Sequence, residues 1–222
     1  MIVSHSRQFI FVKCRKTAST SLERELVPQL SQQDVWTPIS SPRRDGNNHH
    51  SAWPVDWLSA RNKWFSDFIG RNSPLHWRFF HDHIAAARIA NLIPAEQFKA
   101  YFKFCFDRNP WDFVVSLFHQ KTAKGRFHGD FDRFLHEFPI EPNWMLYTVD
   151  DEPAVDRVYR YEELDLAVAD ISCRLGLDLN MRQRDKEQFR AGKDYRPFYS
   201  QSSRDHVARR WSRAIALLRY DF

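Results

Sequence analysis

Apolar positions change their period several times along the chain, and each change predicts an element. Phe9-Ile10-Phe11-Val12 lies within Gln8–Cys14 and joins aromatic to β-branched residues without interruption, the pattern of a buried strand. From Ser19 to Leu30 the apolar residues Leu22, Leu26, Val27 and Leu30 recur at spacings of three and four, so a helix is expected where a Ser/Thr cluster ends. Phe102-Lys103-Phe104-Cys105-Phe106 alternates with period two and predicts a second strand. Pro110 then suits the first turn of a helix whose apolar face is Trp111, Val114, Val115 and Phe118. A third strand is predicted over Arg157–Tyr161, followed by a helix over Leu164–Leu175 that Gly176 stops. Ser202–Leu218 reads as a basic amphipathic helix.

Strands that alternate with helices imply an α/β fold, here a single domain over 1–222 with a central parallel β-sheet flanked by helices and a P-loop-like nucleotide-binding architecture. A chain of 222 residues is long enough to bury a substantial core. The stretch 31–80 departs from this rhythm. It holds Pro38, Pro42, Pro54, Pro74 and the run Arg43-Arg44-Asp45-Gly46-Asn47-Asn48, and reads as an insertion with some helix near 56–69.

Charge narrows the partner. A net charge of +5 and a pI near 9.2 favour an anionic one, be it nucleotide, nucleic acid, sulfated glycan or membrane surface. Cys14, Cys105 and Cys173 are odd in number and widely spaced, which argues against a disulfide framework and a CxxC zinc site, and for a reducing compartment. The apolar run near the N-terminus spans four residues, too short for a signal-peptide core or a membrane span, so a cytoplasmic protein with no membrane span is expected. Eight Trp and 19 Phe suit a dense core or a cleft that stacks on rings.

The candidate chemistry begins at Lys13-Cys14-Arg15-Lys16-Thr17-Ala18-Ser19-Thr20-Ser21-Leu22. A strand that enters a lysine-bearing Ser/Thr turn and then a helix presents backbone N–H groups and a cation to an anion. Gly46 is the first glycine of the chain, so no GxxxxGK[ST] surrounds Lys16 and Walker A chemistry is disfavoured. Lys16 to Leu22 resembles instead the 5′-phosphosulfate loop of sulfotransferases that use 3′-phosphoadenosine-5′-phosphosulfate (PAPS), in the carbohydrate branch whose usual form is PKTAGTSL. The chain departs from that form at Ser19, usually Gly, and at Arg15, often Pro. Phe106-Asp107-Arg108-Asn109-Pro110 through Ser116 resembles the same family's 3′-phosphate motif, with Arg108 at a strand end and Ser116 eight residues later. Val158 to Leu164 and the closing segment Tyr195 to Phe222 resemble later parts of the family.

The resemblance implies that Lys16, Thr17, Ala18, Ser19, Thr20 and Ser21 hold the 5′ side of PAPS, that Arg108 and Ser116 hold its 3′-phosphate, and that Lys16 also serves catalysis. Phe80-His81-Asp82-His83-Ile84 resembles the His-x-His of the uronyl 2-O-sulfotransferases, whose second His is the base. His83 is then the expected base, with His81 in support. Lys13 and Arg15 flank the loop, and Arg184, Arg190 and Lys193 in the basic tract 182–196 are further candidate contacts. The product is adenosine 3′,5′-bisphosphate, no metal is required, and a carbohydrate or glycoconjugate hydroxyl is the expected acceptor, with 31–80 on its side. The rival readings are a P-loop-type kinase or NTPase, which the missing Walker A form disfavours, and a basic nucleic-acid-binding module without catalysis, which leaves both motifs unexplained; no nucleic-acid partner is expected.

Overall fold

The computed structural model describes residues 1–31, 33–37, 82–181 and 194–222. In chain order these form β1 (Ile2–Ser4), β2 (Phe9–Val12), α1 (Ser19–Leu26), β3 (Val35–Trp36), α2 (Ala86–Ala90), α3 (Ala95–Ala100), β4 (Phe102–Asp107), α4 (Pro110–Ala123), α5 (Phe131–Glu137), α6 (Trp144–Tyr147), β5 (Thr148–Val149), β6 (Glu152–Pro153), β7 (Arg157–Arg160), α7 (Leu164–Leu175), α8 (Gln201–Arg210) and α9 (Ser212–Leu218). Most of the predicted insertion 31–80, the helix near 56–69 within it, His81 and residues 182–193 of the basic tract lie outside the described residues.

The five-stranded sheet has the order β3-β1-β2-β4-β7. β2, β4 and β7 run parallel, with Phe9 opposite Phe102, Val12 opposite Cys105 and Phe104 opposite Arg157. β1 is antiparallel to both of its neighbours, so the sheet is mixed and not wholly parallel as expected. The reason is the link from β1 to β2, which spans only residues 5–8. So short a turn returns the chain beside itself, whereas a parallel partner needs a crossover. β5 and β6 form a separate two-stranded hairpin.

Alternation along the strands sends side chains to two packed faces. On one, Phe9, Phe11, Phe104 and Phe106 are fully buried with Leu22 and Leu26 of α1 and Leu164, Val168 and Ile171 of α7. On the other, Val3, Ile10, Val12 and Cys105 pack on Ile89, Leu146 and Tyr147. The rings form a ladder across the strands: Phe104 lies 5.3 Å from Phe11 and 5.9 Å from Phe9, and Phe106 lies 5.5 Å from Tyr159. A sheet covered on both faces explains why its strands read as apolar runs.

Helix ends follow local chemistry. α1 stops at Leu26, short of the predicted Leu30, because Pro28 lacks the N–H that another turn requires; Val27–Gln29 continues as a 3-10 turn. α7 closes on Gly176, left-handed at φ 60. The predicted C-terminal helix is two helices, broken at Trp211, whose ring is buried against Phe113 at 6.3 Å. α4, α5, α8 and the C-terminus share a third apolar cluster, so the last helices pack onto the element that follows β4.

Phe104→Ala removes the ring at the centre of the ladder. It should lower unfolding free energy by roughly 3–5 kcal/mol, read from urea midpoints, because the buried cavity closes poorly between two fixed strands.

Candidate functional site

β2 and β4 end side by side, and the chain after each carries one of the sequence-predicted motifs. The loop after β2 makes two left-handed excursions, at Lys16 (φ 63) and Ala18 (φ 52). Neither is glycine, so each costs roughly 1 kcal/mol and must be held by its surroundings. Ser19, the position usually occupied by Gly in the resembling motif, is not among the positive-φ residues, so this loop needs no glycine there. Its hydroxyl donates to the Cys14 carbonyl at 3.1 Å and meets the Thr17 hydroxyl at 2.7 Å, while Thr17 Oγ1 also donates to that carbonyl at 3.3 Å. These hydroxyls face back to the loop, and the N-cap of α1 is Ala18, which makes no side-chain bond to the first turn. Thr20 and Ser21 lie in that first turn and are buried. Ser21 N donates to the Ala18 carbonyl at 2.9 Å, and the positive end of the helix dipole favours an anion beside this turn.

Arg108 reaches across from β4 to this loop. Its Nη1 donates to the Lys16 carbonyl at 3.1 Å and to Ser116 Oγ at 3.3 Å, and its guanidinium lies 4.5 Å above the Tyr161 ring. Lys16, Arg108 and Ser116 are thus brought together although about ninety residues separate the two motifs. Asp112, in the first turn of α4, was not expected here; it holds Arg108 Nε and Nη2, each at 2.6 Å. Asn109 caps α4 through Trp111 N, and its Nδ2 ties the last turn of the chain at the Asp221 carbonyl.

Lys13 does not line the loop. Its side chain is 3% exposed and pairs with Glu23 at 2.6 Å and Asp82 at 2.9 Å, while the Met1 α-ammonium donates to Glu23 at 2.5 Å and to Thr37 at 2.7 Å. Glu23 is committed to these two cations. Arg15 points to Glu141 at 2.9 Å. His83 sits at the edge of the charged group, with Nδ1 2.9 Å from the Lys13 carbonyl. A carbonyl only accepts, so Nδ1 carries the hydrogen and Nε2 keeps the lone pair. Burial lowers the His83 pKa to about 4, with Lys13 and Arg15 acting in the same direction. The imidazole is neutral near neutrality.

Asp107, at the end of β4, is a further buried acid. Its carboxylate accepts from Tyr147 Oη at 2.7 Å, Asn143 Nδ2 at 3.0 Å and Arg108 N at 2.9 Å, and burial nevertheless raises its pKa to about 6. Asp82 behaves oppositely: although burial alone would raise it, Lys13 and the chain's α-ammonium hold it down at about 2. Asp82 and Asp107 adjoin residues that the sequence had marked, whereas Asn143 had no such signal.

Among the described residues, no group of three or more His, Cys, Asp or Glu is placed to hold a metal ion, and no helix is long and apolar enough to cross a membrane. This is an α/β protein in which the two sequence motifs meet at the ends of adjacent parallel strands. It belongs to one family with an uncharacterized protein of Archaeoglobus fulgidus, 31% identical over 99 residues, an alignment that covers 40% of this chain and 79% of that relative. No family model matches the chain, and no solved structure matches it.

The buried groups set a pH signature. His83, lowered from 6.5 to about 4, makes the unfolded chain bind more protons between those values, so its stabilisation, full above 6.5, is lost as pH falls to 4. Asp107, raised from 3.8 to about 6, makes the folded chain bind more protons, so acidification through that window adds stability. Each effect amounts to roughly 3 kcal/mol, and the two nearly cancel between about pH 6 and 4. Below that, Asp82 takes over, its contribution lost as pH falls from 3.8 through about 2. His83→Gln should remove the first effect alone, so that urea midpoints rise on going from about pH 7 to pH 4.5 where the parent's stay nearly level.

Proposed function

We propose that this protein is a PAPS-dependent sulfotransferase with a P-loop-like nucleotide site, acting on a hydroxyl of a carbohydrate or glycoconjugate. The observation that carries the reading is the Arg108 guanidinium, which bonds the Lys16 carbonyl and the Ser116 hydroxyl at once. Two motifs that each resemble half of a PAPS site thereby meet in one place, at the carboxyl ends of parallel strands where α/β sheets bind nucleotides. The resemblance supplies the identity of the donor; the residues supply the fit. Two left-handed residues and an uncapped helix N-terminus suit a phosphate, and Arg108 with Ser116 suits a second one.

The donor brings a sulfuryl group already activated by its anhydride link to phosphate, so the protein's task is placement and charge. Thr17, Ala18, Ser19 and Thr20 hold the 5′ end through backbone N–H groups and Ser21 through its hydroxyl, since Ser21 N is bonded to the Ala18 carbonyl. The Lys16 ammonium offsets the charge that develops on the leaving phosphate oxygen. As the acceptor oxygen bonds to sulfur and the sulfur–oxygen bond to phosphate breaks, His83 Nε2 takes the acceptor's proton, its tautomer fixed by the bond to the Lys13 carbonyl. A free pKa near 4 makes His83 a weak base in isolation, and the negative charge of bound donor raises it. His81, the expected supporting residue, lies outside the described residues, and the acceptor assignment rests on the resemblance.

Transfer of labelled sulfate from PAPS to a panel of glycans, glycolipids and phenols tests the reading. Lys16→Ala should lower turnover by at least ~100-fold in a folded protein. His83→Ala should lower kcat far more than donor affinity, and a pure affinity loss would remove His83 from the chemistry. Magnesium-dependent ATP turnover with no sulfate transfer would replace the proposal with a kinase or NTPase. Tight, salt-sensitive DNA binding without adenosine 3′,5′-bisphosphate binding would replace it with a nucleic-acid module.

A further inference from the structure

Asn143 is 1% exposed and stands at the N-cap position of α6, where asparagine ordinarily caps the helix. Its side chain makes no cap bond. It turns to the phosphate loop, from which 128 residues of chain separate it. Oδ1 accepts from Arg15 N at 2.9 Å, and Nδ2 donates to the Arg15 carbonyl at 3.0 Å, so one amide grips a peptide residue on both its polar groups. The second hydrogen of Nδ2 goes to Asp107 Oδ1 at 3.0 Å. A flipped amide would set NH2 against an N–H and oxygen against two acceptors, so the orientation is determined by the partners.

The neighbouring contacts show what this grip does. Arg15 is followed by Lys16, whose left-handed backbone is unfavourable for a residue with a Cβ. The Lys16 carbonyl is held by Arg108 and the Arg15 peptide by Asn143. Both holders meet at Asp107, whose carboxylate accepts from Asn143 Nδ2 and from Arg108 N. Tyr147, on the helix that Asn143 opens, donates to its other oxygen. A second tie joins the same segments, Arg15 to Glu141. Two successive residues are therefore fixed by one connected polar chain, which supplies the restraint that a glycine-free loop requires.

We propose that Asn143 is a positioning residue for the phosphate loop, holding Arg15 so that Lys16 enters its left-handed conformation and meets the anion. The loop's ligand rests on the sulfotransferase reading; the grip on Arg15 does not, and the experiment separates them. Hydrogen exchange of the full-length protein is followed by mass spectrometry with and without adenosine 3′,5′-bisphosphate, for the parent, Asn143→Ala, Asn143→Ser and Asn143→Asp. In the Ala and Ser variants, exchange over 15–19 should rise at least ~10-fold while the β4 and α7 amides keep their rates, and bisphosphate affinity by calorimetry should fall ~10-fold or more.

Asn143→Asp keeps the acceptor for Arg15 N but loses both donors and sets a carboxylate against Asp107. Its loop should be loose at about pH 8 and tighten toward pH 5.5, where one shared proton restores a donor. The ionisable groups facing the pair are Arg15, Arg108, Glu162, Tyr147 and Cys105. Their titration is common to the parent, run in parallel. Unchanged loop exchange in the Ala or Ser variant overturns the proposal, as does a uniform rise across the protein, which marks a merely structural residue. A pH-independent Asp variant does so too. Failure of the parent to bind the bisphosphate, with the exchange differences intact, would instead remove the sulfotransferase reading and leave the grip standing.

Discussion

Parallel strands that are neighbours leave the sheet at the same edge, and the pairing of β2 with β4 makes this constraint decisive here. Register is fixed by rings: with Phe9 opposite Phe102 and Phe11 opposite Phe104, a slip by one residue would turn every apolar side chain of the strand to the wrong face. The same register sets Val12 beside Cys105, so that the loop through Lys16 and the turn through Arg108 emerge next to one another. A guanidinium then spans the gap between them. The aromatic packing beneath sets the two segments side by side, and the bonds of Arg108 and Asn143 then tie them.

Around this edge the protein buries more charge than a fold of its size needs for stability. Lys13, Glu23, Asp82 and the α-ammonium of Met1 form a group of two cations and two anions, so the interior holds no net charge there. Desolvating four ions is expensive, and their close pairing only offsets that cost. What the arrangement secures is position. Lys13 cannot leave Glu23 and Asp82, its carbonyl stays fixed, and the imidazole bonded to that carbonyl keeps one tautomer. Asp107 is arranged differently, without a paired cation side chain but with three donors, and its carboxylate joins β4 to α6 and, through Asn143, to the loop.

The loop after β2 takes two left-handed residues without glycine. Left-handed backbone falls on Lys16 and Ala18, and the hydroxyls that might have capped α1 turn back onto the Cys14 carbonyl. Side chains thereby supply, through hydrogen bonds, the conformational restriction that glycine would have made unnecessary. The N-cap of α1 is accordingly Ala18, which has no side chain able to cap the first turn.

Periodicity by itself determined the strands at Phe9–Val12 and Phe102–Asp107 and the helix Leu164–Leu175, because each buries a regular set of side chains that reports the backbone, and it marked the half-exposed strand Arg157–Arg160 through Val158 and Tyr159. It also marked Lys16, Arg108 and Ser116, whose types and spacing carry meaning within single segments. Short elements escaped: Ile2–Ser4 and Val35–Trp36 hold too few residues to show a period, and with them went the antiparallel half of the sheet. The break at Trp211 escaped as well, since the ring that stops the helix is set by what it packs on. Contacts between distant segments were wholly a matter of tertiary structure. Nothing near Asn143 signals that its amide faces Arg15, and nothing near Lys13 signals that it pairs inward with Glu23 and Asp82 rather than facing a ligand. A residue's type states what bonds it can make; only the folded chain decides which partners come within reach.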